Sequence, residues 1–172
     1  MLRTVCIMTV AVALFVAGCD NDRAGKAEQG SDRMAFEMQK SEDQWRKELT
    51  DQQYHVLRQK GTEPAFTGRY YDAQEDGIYR CAACGNELFN SETKFKSGTG
   101  WPSFWAPVSE DSVEYHGDHK LLMERTEVRC AACGSHLGHV FDDGPPPTHK
   151  RYCMNSIALD LKKKEGDADP AP

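Results

Sequence analysis

The chain reads as a mainly β protein with two short helices at the front of its folded part. Three observations predict this. Helix-type apolar spacing with capping residues is confined to the stretch from Ser41 to Gly61. Beyond Pro64 the sequence turns to short runs of aromatic and β-branched residues broken by glycine, the pattern of strands joined by tight loops. The motif CAACG occurs at 81–85 and again at 130–134. It suits two halves of one metal site in a loop-rich domain better than a repeat architecture.

Taken in order, the first segment is MLRTVCIMTVAVALFVAGCD, basic at Arg3 and almost wholly apolar from Thr4 to Ala17. The run is short for a membrane span and suited to a secretory signal. Its ending, VAGC, resembles the bacterial lipobox. That resemblance implies removal of residues 1–18 and lipid attachment to Cys19; an ordinary signal with an incidental cysteine is the alternative. The expectation is an exported protein held to a bacterial membrane, on the periplasmic side, by its lipid alone. Residues 19–40 are polar and mixed in charge, and read as a tether.

The folded domain is expected over 41–162. SEDQWRKEL (41–49) has a serine start, acids in its first turn, and Trp45 and Leu49 four apart. TDQQYHVLRQKG (50–61) sets Thr50 and Gln53 in capping-box spacing and stops at Gly61. Both predict short helices. GIYRC (77–81), EVRC (127–130), HVF (139–141) and RYCMNSIALDL (151–161) predict strands. The tail over 163–172 is expected to be disordered. The net charge of −6 gives no electrostatic grip on nucleic acid, and acids outnumber bases between Cys81 and Cys153 as well.

The cysteines divide into groups. Cys6 falls in the signal and Cys19 at the lipid site, which leaves Cys81, Cys84, Cys130, Cys133 and Cys153. Two Cys-x-x-Cys turns, each followed by glycine, are a usual way to place four thiolates around a structural Zn2+. Disulfides across the pairs are an alternative in an exported chain, and a redox-active pair is another. An odd cysteine left over suggests a free, reactive thiol.

That cysteine is Cys153. In a regular strand over 151–161, Arg151, Cys153 and Asn155 share a face with Ile157, Leu159 and Leu161, and Cys153 lies on the buried face near its polar end. Arg151 is placed to lower the thiol pKa; a buried structural cysteine is the alternative. GSHLGHVFDDGPPP (134–147) supplies His136 and His139 as candidate proton donors, with Phe141 on the face of His139. Asp142 and Asp143 are turn formers first, and three prolines stiffen the approach to Cys153. SGTGWPSFW (97–105) is a glycine-rich loop offering Trp101, Phe104 and Trp105. An aromatic face suits a methyl-sulfur group, while Phe104 is expected in the core.

From about Trp45 to Leu161 the chain resembles the B-type methionine sulfoxide reductases. The likeness lies in GTEPAFTGRYYD (61–72), GIYRCAACGNELFNSETKFKSGTGWPSF (77–104) and CAACGSHLGHVFDDGPPPTHKRYCMNSIAL (130–159), in that order. The resemblance implies two antiparallel sheets with short N-terminal helices. It implies reduction of the R epimer of methionine sulfoxide in peptides or proteins. It places zinc on Cys81, Cys84, Cys130 and Cys133, and catalysis on Cys153, with His136, His139 and Asn155 around it. Trp101 matches the methyl-contacting tryptophan, and Arg151 and Asp143 match positions that support the pocket, beside Phe141. Many members carry a resolving cysteine two residues before that tryptophan; this chain has Thr99. The implied recovery of Cys153 is therefore by an external thiol donor, of a thioredoxin-like kind, rather than through an internal disulfide. A catalytically silent, zinc-ribbon-like interaction module is the rival reading.

Overall fold

The computed structural model describes residues 38–119 and 124–164. The expected signal, the lipid site at Cys19, nearly all of the tether and most of the tail lie outside the described residues. Among those described, no helix is long and apolar enough to cross a membrane.

Helices α1 (Glu42–Glu48) and α2 (Asp51–Leu57) both begin in a capping box. Ser41 Oγ accepts the Gln44 N–H while Gln44 takes the Ser41 N–H, and Thr50 and Gln53 repeat the exchange. Each exchange satisfies two backbone donors that a helix start leaves open. Trp45 and Leu49 go into the core as their spacing predicts. Arg58 joins the helices through Glu42 at 2.7 Å. α2 ends earlier than Gly61. Its chain turns at Lys60, whose φ is +58°, and Gly61 N–H closes the turn on His55 O at 3.0 Å.

Nine strands among the described residues form two antiparallel sheets, as expected. They are β1 (Gly77–Cys81), β2 (Glu87–Asn90), β3 (Lys94–Phe95), β4 (Ser103–Phe104), β5 (Val113–Asp118), β6 (Arg125–Cys130), β7 (His136–Phe141), β8 (Arg151–Met154) and β9 (Leu159–Lys163). The smaller sheet has the order β2-β1-β9 and the larger β3-β4-β8-β7-β6-β5. Tyr79, Leu88, Phe89, Phe104, Leu137 and Met154 fill the core with no exposed surface. Phe104 stacks on Phe89 at 4.5 Å between ring centroids, in the core as expected.

One expected element is corrected. RYCMNSIALDL is not a single strand. It leaves the large sheet after Met154, makes a 3₁₀ turn over Ser156–Ala158, and enters the small sheet as β9 beside β1. The cause is Glu63, whose carboxylate accepts the N–H groups of Ser156 and Ile157 at 2.6 and 3.0 Å. Ile157, Leu159 and Leu161 therefore do not extend the face that holds Cys153. Both faces of β8 are covered: Tyr152 and Met154 are buried on one side and Arg151 on the other, where Cys153 is half-buried. The last strand runs to Lys163, one residue past the expected boundary at 162.

Candidate active site and metal centre

The large sheet lines up a row of side chains across its strands. Register pairs Ser103 of β4 with Cys153 of β8, Cys153 with His139 of β7, and His139 with Glu127 of β6. Directly opposed residues on one face lie close enough to interact. Arg151 and Phe141 form the adjacent pair, with the guanidinium carbon 4.3 Å from the ring centroid. Asp143 holds Arg151 in a two-pronged ion pair at 2.8 and 2.9 Å.

The Cys153 thiol is pushed up from its ordinary value by burial. Thr99, Arg151 and Ser103 favour the thiolate but do not overcome this. The expected lowering by Arg151 is thus present and outweighed, because desolvation of the sulfur is the larger effect.

Each histidine leans on a carboxylate. His139 Nε2 is 2.9 Å from Asp118 Oδ2, and Asp118 also binds Arg125. Burial lowers the His139 pKa, with Asp118 opposing the shift. His136 is buried, its Nδ1 2.8 Å from Glu127 Oε1, and its Nε2 is buried without a protein partner. The two imidazoles meet edge to face at 5.4 Å.

Glu127 is a residue the sequence reading passed over. It is buried and takes Lys60 at 2.9 Å and Arg129 at 2.8 Å besides His136. Burial alone raises its pKa, but those hydrogen bonds hold it well below the usual carboxylate range. The left-handed turn at Lys60, which follows α2, leaves its ammonium 2.9 Å from Glu127 Oε2. Replacing Glu127 with alanine strands three donors at one point. The expected cost is about 3 kcal/mol in denaturant unfolding at pH 7. Since the folded pKa is depressed, this stabilisation is present above about pH 4.3 and is lost as pH falls below it. Glu127→Gln should therefore flatten that acid loss relative to the unaltered chain.

Trp101 and Asn155 meet through Glu63. The indole N–H donates to Glu63 O at 3.1 Å, and Glu63 N–H donates to Asn155 Oδ1 at 3.1 Å. Asn155 is buried, and its Nδ2 donates to Leu137 O at 3.0 Å. Both ends of this amide are therefore committed to holding the chain where it leaves β8. Trp101 is half-buried and borders a cavity of about 410 Å³ with Tyr71, Phe95 and Ser97. A larger cavity, about 1020 Å³, opens between α2 and the 62–70 loop, and Cys153 is not among its lining residues. Strand register, and not that cavity, brings Ser103, Cys153, His139 and Glu127 into one row.

The paired CAACG motifs build matching turns. Gly85 N–H bonds Cys81 O and Gly134 N–H bonds Cys130 O, both at 2.8 Å, and both glycines have positive φ, +79° and +69°, which suits residues without a Cβ. The four sulfurs lie within 4.8 Å of one another. Cys81 and Cys133 are 3.8 Å apart, and Cys84 and Cys130 3.6 Å. A disulfide requires about 2.05 Å. Four sulfurs bound at about 2.3 Å around a tetrahedral ion stand roughly 3.8 Å apart. The cluster is thus suited to a metal ion and offers no open ligand position.

Comparison with known proteins agrees with this arrangement. Residues 49–163 match the SelR domain. A peptide methionine sulfoxide reductase MsrB of Methanosarcina mazei is 59% identical over 128 residues, 74% of this chain and 91% of its own length. One of Leptospira interrogans is 56% identical over 131 residues, 76% of this chain and all of its own length. The chloroplastic peptide methionine sulfoxide reductase B1 of Oryza sativa is 56% identical over 126 residues, 73% of this chain and 58% of its own. With its fold, its four-cysteine cluster and these relatives taken together, the chain belongs to the MsrB family of SelR-domain proteins.

Proposed function

We propose that the chain reduces methionine-R-sulfoxide in peptides or proteins, with Cys153 as nucleophile. The observation that carries this is a free, half-buried cysteine set directly across from His139 in a chain of this family. The Cys153 thiolate attacks the sulfoxide sulfur while a proton goes to the oxygen. The oxygen passes to Cys153, which becomes a sulfenic acid as the methionine sulfur is reduced. His139, oriented by Asp118, and His136, oriented by Glu127, stand as the donors. Trp101, held at its N–H by Glu63, presents its ring to the methyl group. Arg151 and Asp143, with Phe141 beneath the guanidinium, brace the strand that carries Cys153. Asn155 acts by fixing the end of that strand. The metal is read as zinc, bound by Cys81, Cys84, Cys130 and Cys133 in a structural role.

Recovery is assigned to an external thiol, such as a thioredoxin-like exported protein. Thr99 lies beside Cys153 and has no sulfur to offer, and the four remaining cysteines of the domain are gathered in the metal cluster. Lipid attachment at Cys19 would hold the domain at a bacterial membrane on the periplasmic side, near oxidised client proteins.

Turnover with a single equivalent of R-sulfoxide and no reductant should leave Cys153 as a sulfenic acid that dimedone labels, seen as one adduct by mass spectrometry. An internal disulfide to Cys153 would refute external recovery. Reduction of the S epimer alone would refute the substrate.

A further inference from the structure

The side of Cys153 away from His139 is lined by hydroxyls. Thr99 Oγ1 is 3.7 Å from Cys153 Sγ. Ser97 Oγ lies 2.9 Å from Thr99 Oγ1 and 2.8 Å from Ser103 Oγ. Ser103 is fully buried, pairs with Cys153 across the sheet, and also reaches Trp101 O at 3.2 Å. The Thr99 N–H points back to Ser97 Oγ at 3.4 Å. A hydroxyl has one proton to give and two lone pairs to accept with. Trp101 O, which can only accept, competes with Ser97 for the single Ser103 proton; when that proton goes to Ser97, the chain runs in one direction, Ser97 donating to Thr99 and Thr99 to the sulfur. In such a series each donation strengthens the next.

Resting on the reading of Cys153 as nucleophile, we propose that Thr99, backed by Ser97 and Ser103, is a positioning residue that donates a hydrogen bond to the Cys153 thiolate. Residue 99 then does more than lack a resolving sulfur. It supports the thiolate when it attacks and again when it leaves. In recovery, an external thiol adds to the sulfenic acid, forming a mixed disulfide and releasing water. A second external thiol attacks the outer sulfur, forming an external disulfide and expelling Cys153 as a thiolate. Thr99 stabilises that departing charge in surroundings where burial disfavours it. The other groups facing the sulfur are Arg151 on its own strand, paired to Asp143, and His139 on β7, paired to Asp118. The 97–101 loop and β4 bring only uncharged groups.

The test uses the full metal-loaded chain and reads alkylation of Cys153 by iodoacetamide as a function of pH, quantified by mass spectrometry. Thr99→Val keeps the shape and removes the donor; Thr99→Ser keeps the donor. Thr99→Ser should follow the unaltered chain. Thr99→Val should shift the profile to higher pH and slow alkylation at pH 7 roughly tenfold. Reduction of a preformed mixed disulfide by an external thiol should slow in parallel. Ser97→Ala, which never touches the sulfur, should shift the profile part of the way, and it carries the test if Thr99→Val loses its metal or its circular dichroism. A profile unmoved in Thr99→Val, or in Ser97→Ala where that variant stands in, overturns the proposal. So does a Thr99→Ser profile that follows Thr99→Val. Alkylation needs no sulfoxide, so failure of the reductase reading would appear separately, as turnover surviving in Cys153→Ser.

Discussion

Cys153→Ser is expected to abolish sulfoxide reduction, lowering kcat/KM by roughly a thousandfold or more while the metal content and melting curve stay those of the unaltered chain. Oxygen transfer needs an atom that is nucleophilic and can itself be oxidised, and a serine oxygen cannot take the sulfenic step. The fold should tolerate the change. Cys153 is half-buried, its neighbour Thr99 is a hydroxyl that can bond a serine, and its strand is held by register to β4 and β7. The measurement is initial rate with separate R and S epimers under an excess of thiol. Near-normal turnover of the R epimer by Cys153→Ser would remove Cys153 from the chemistry. Loss of turnover together with loss of metal would mark the variant as misfolded, and Cys153→Ala would then serve in its place.

What could be read in advance divides by how local its cause is. The helix starts were legible because a capping box closes within four residues, Ser41 to Gln44 and Thr50 to Gln53. The metal cluster was legible because each Cys-x-x-Cys-Gly turn is self-contained. The break after Met154 was not, since its cause is a carboxylate ninety residues upstream: Glu63 caps the turn at Ser156 and Ile157. No periodicity within 151–161 carries that information. Glu127 was hidden for a related reason. Nothing within EVRC marks it out, and only the pairing of β7 with β6 and the turn that carries Lys60 make it the shared acceptor of Lys60, Arg129 and His136. The Cys153 pKa shows a third limit. Sequence adjacency correctly gave the sign of the Arg151 effect, but the balance depended on burial, which adjacency does not measure.

Removing the metal is expected to unfold the domain rather than only inactivate it. Cys81 ends β1 of the small sheet and Cys130 ends β6 of the large one, so the cluster ties the two sheets together. Nearby contacts depend on the same turn: Arg58 donates to Cys133 O at 3.2 Å, and Met38 N–H to Ala132 O at 2.9 Å. Structural zinc in small sites contributes about 10–16 kcal/mol, against a net stability of about 5–15 kcal/mol for a whole domain. The two quantities are of one size, so the metal-free chain has little reserve. The helices cannot make up the loss, being seven residues each and marginal without packing. Displacing the metal with a mercurial under chelation should therefore abolish the cooperative melt followed by circular dichroism. Thiol reversal with added Zn2+ should restore both the melt and one metal per chain. Cys81→Ser should behave as the stripped protein does, since it leaves three thiolates and a gap between the sheets. A metal-free chain that melts where the loaded one does would show that apolar packing around Tyr79, Phe89 and Phe104 suffices to join the sheets, and that the cluster is dispensable to the fold.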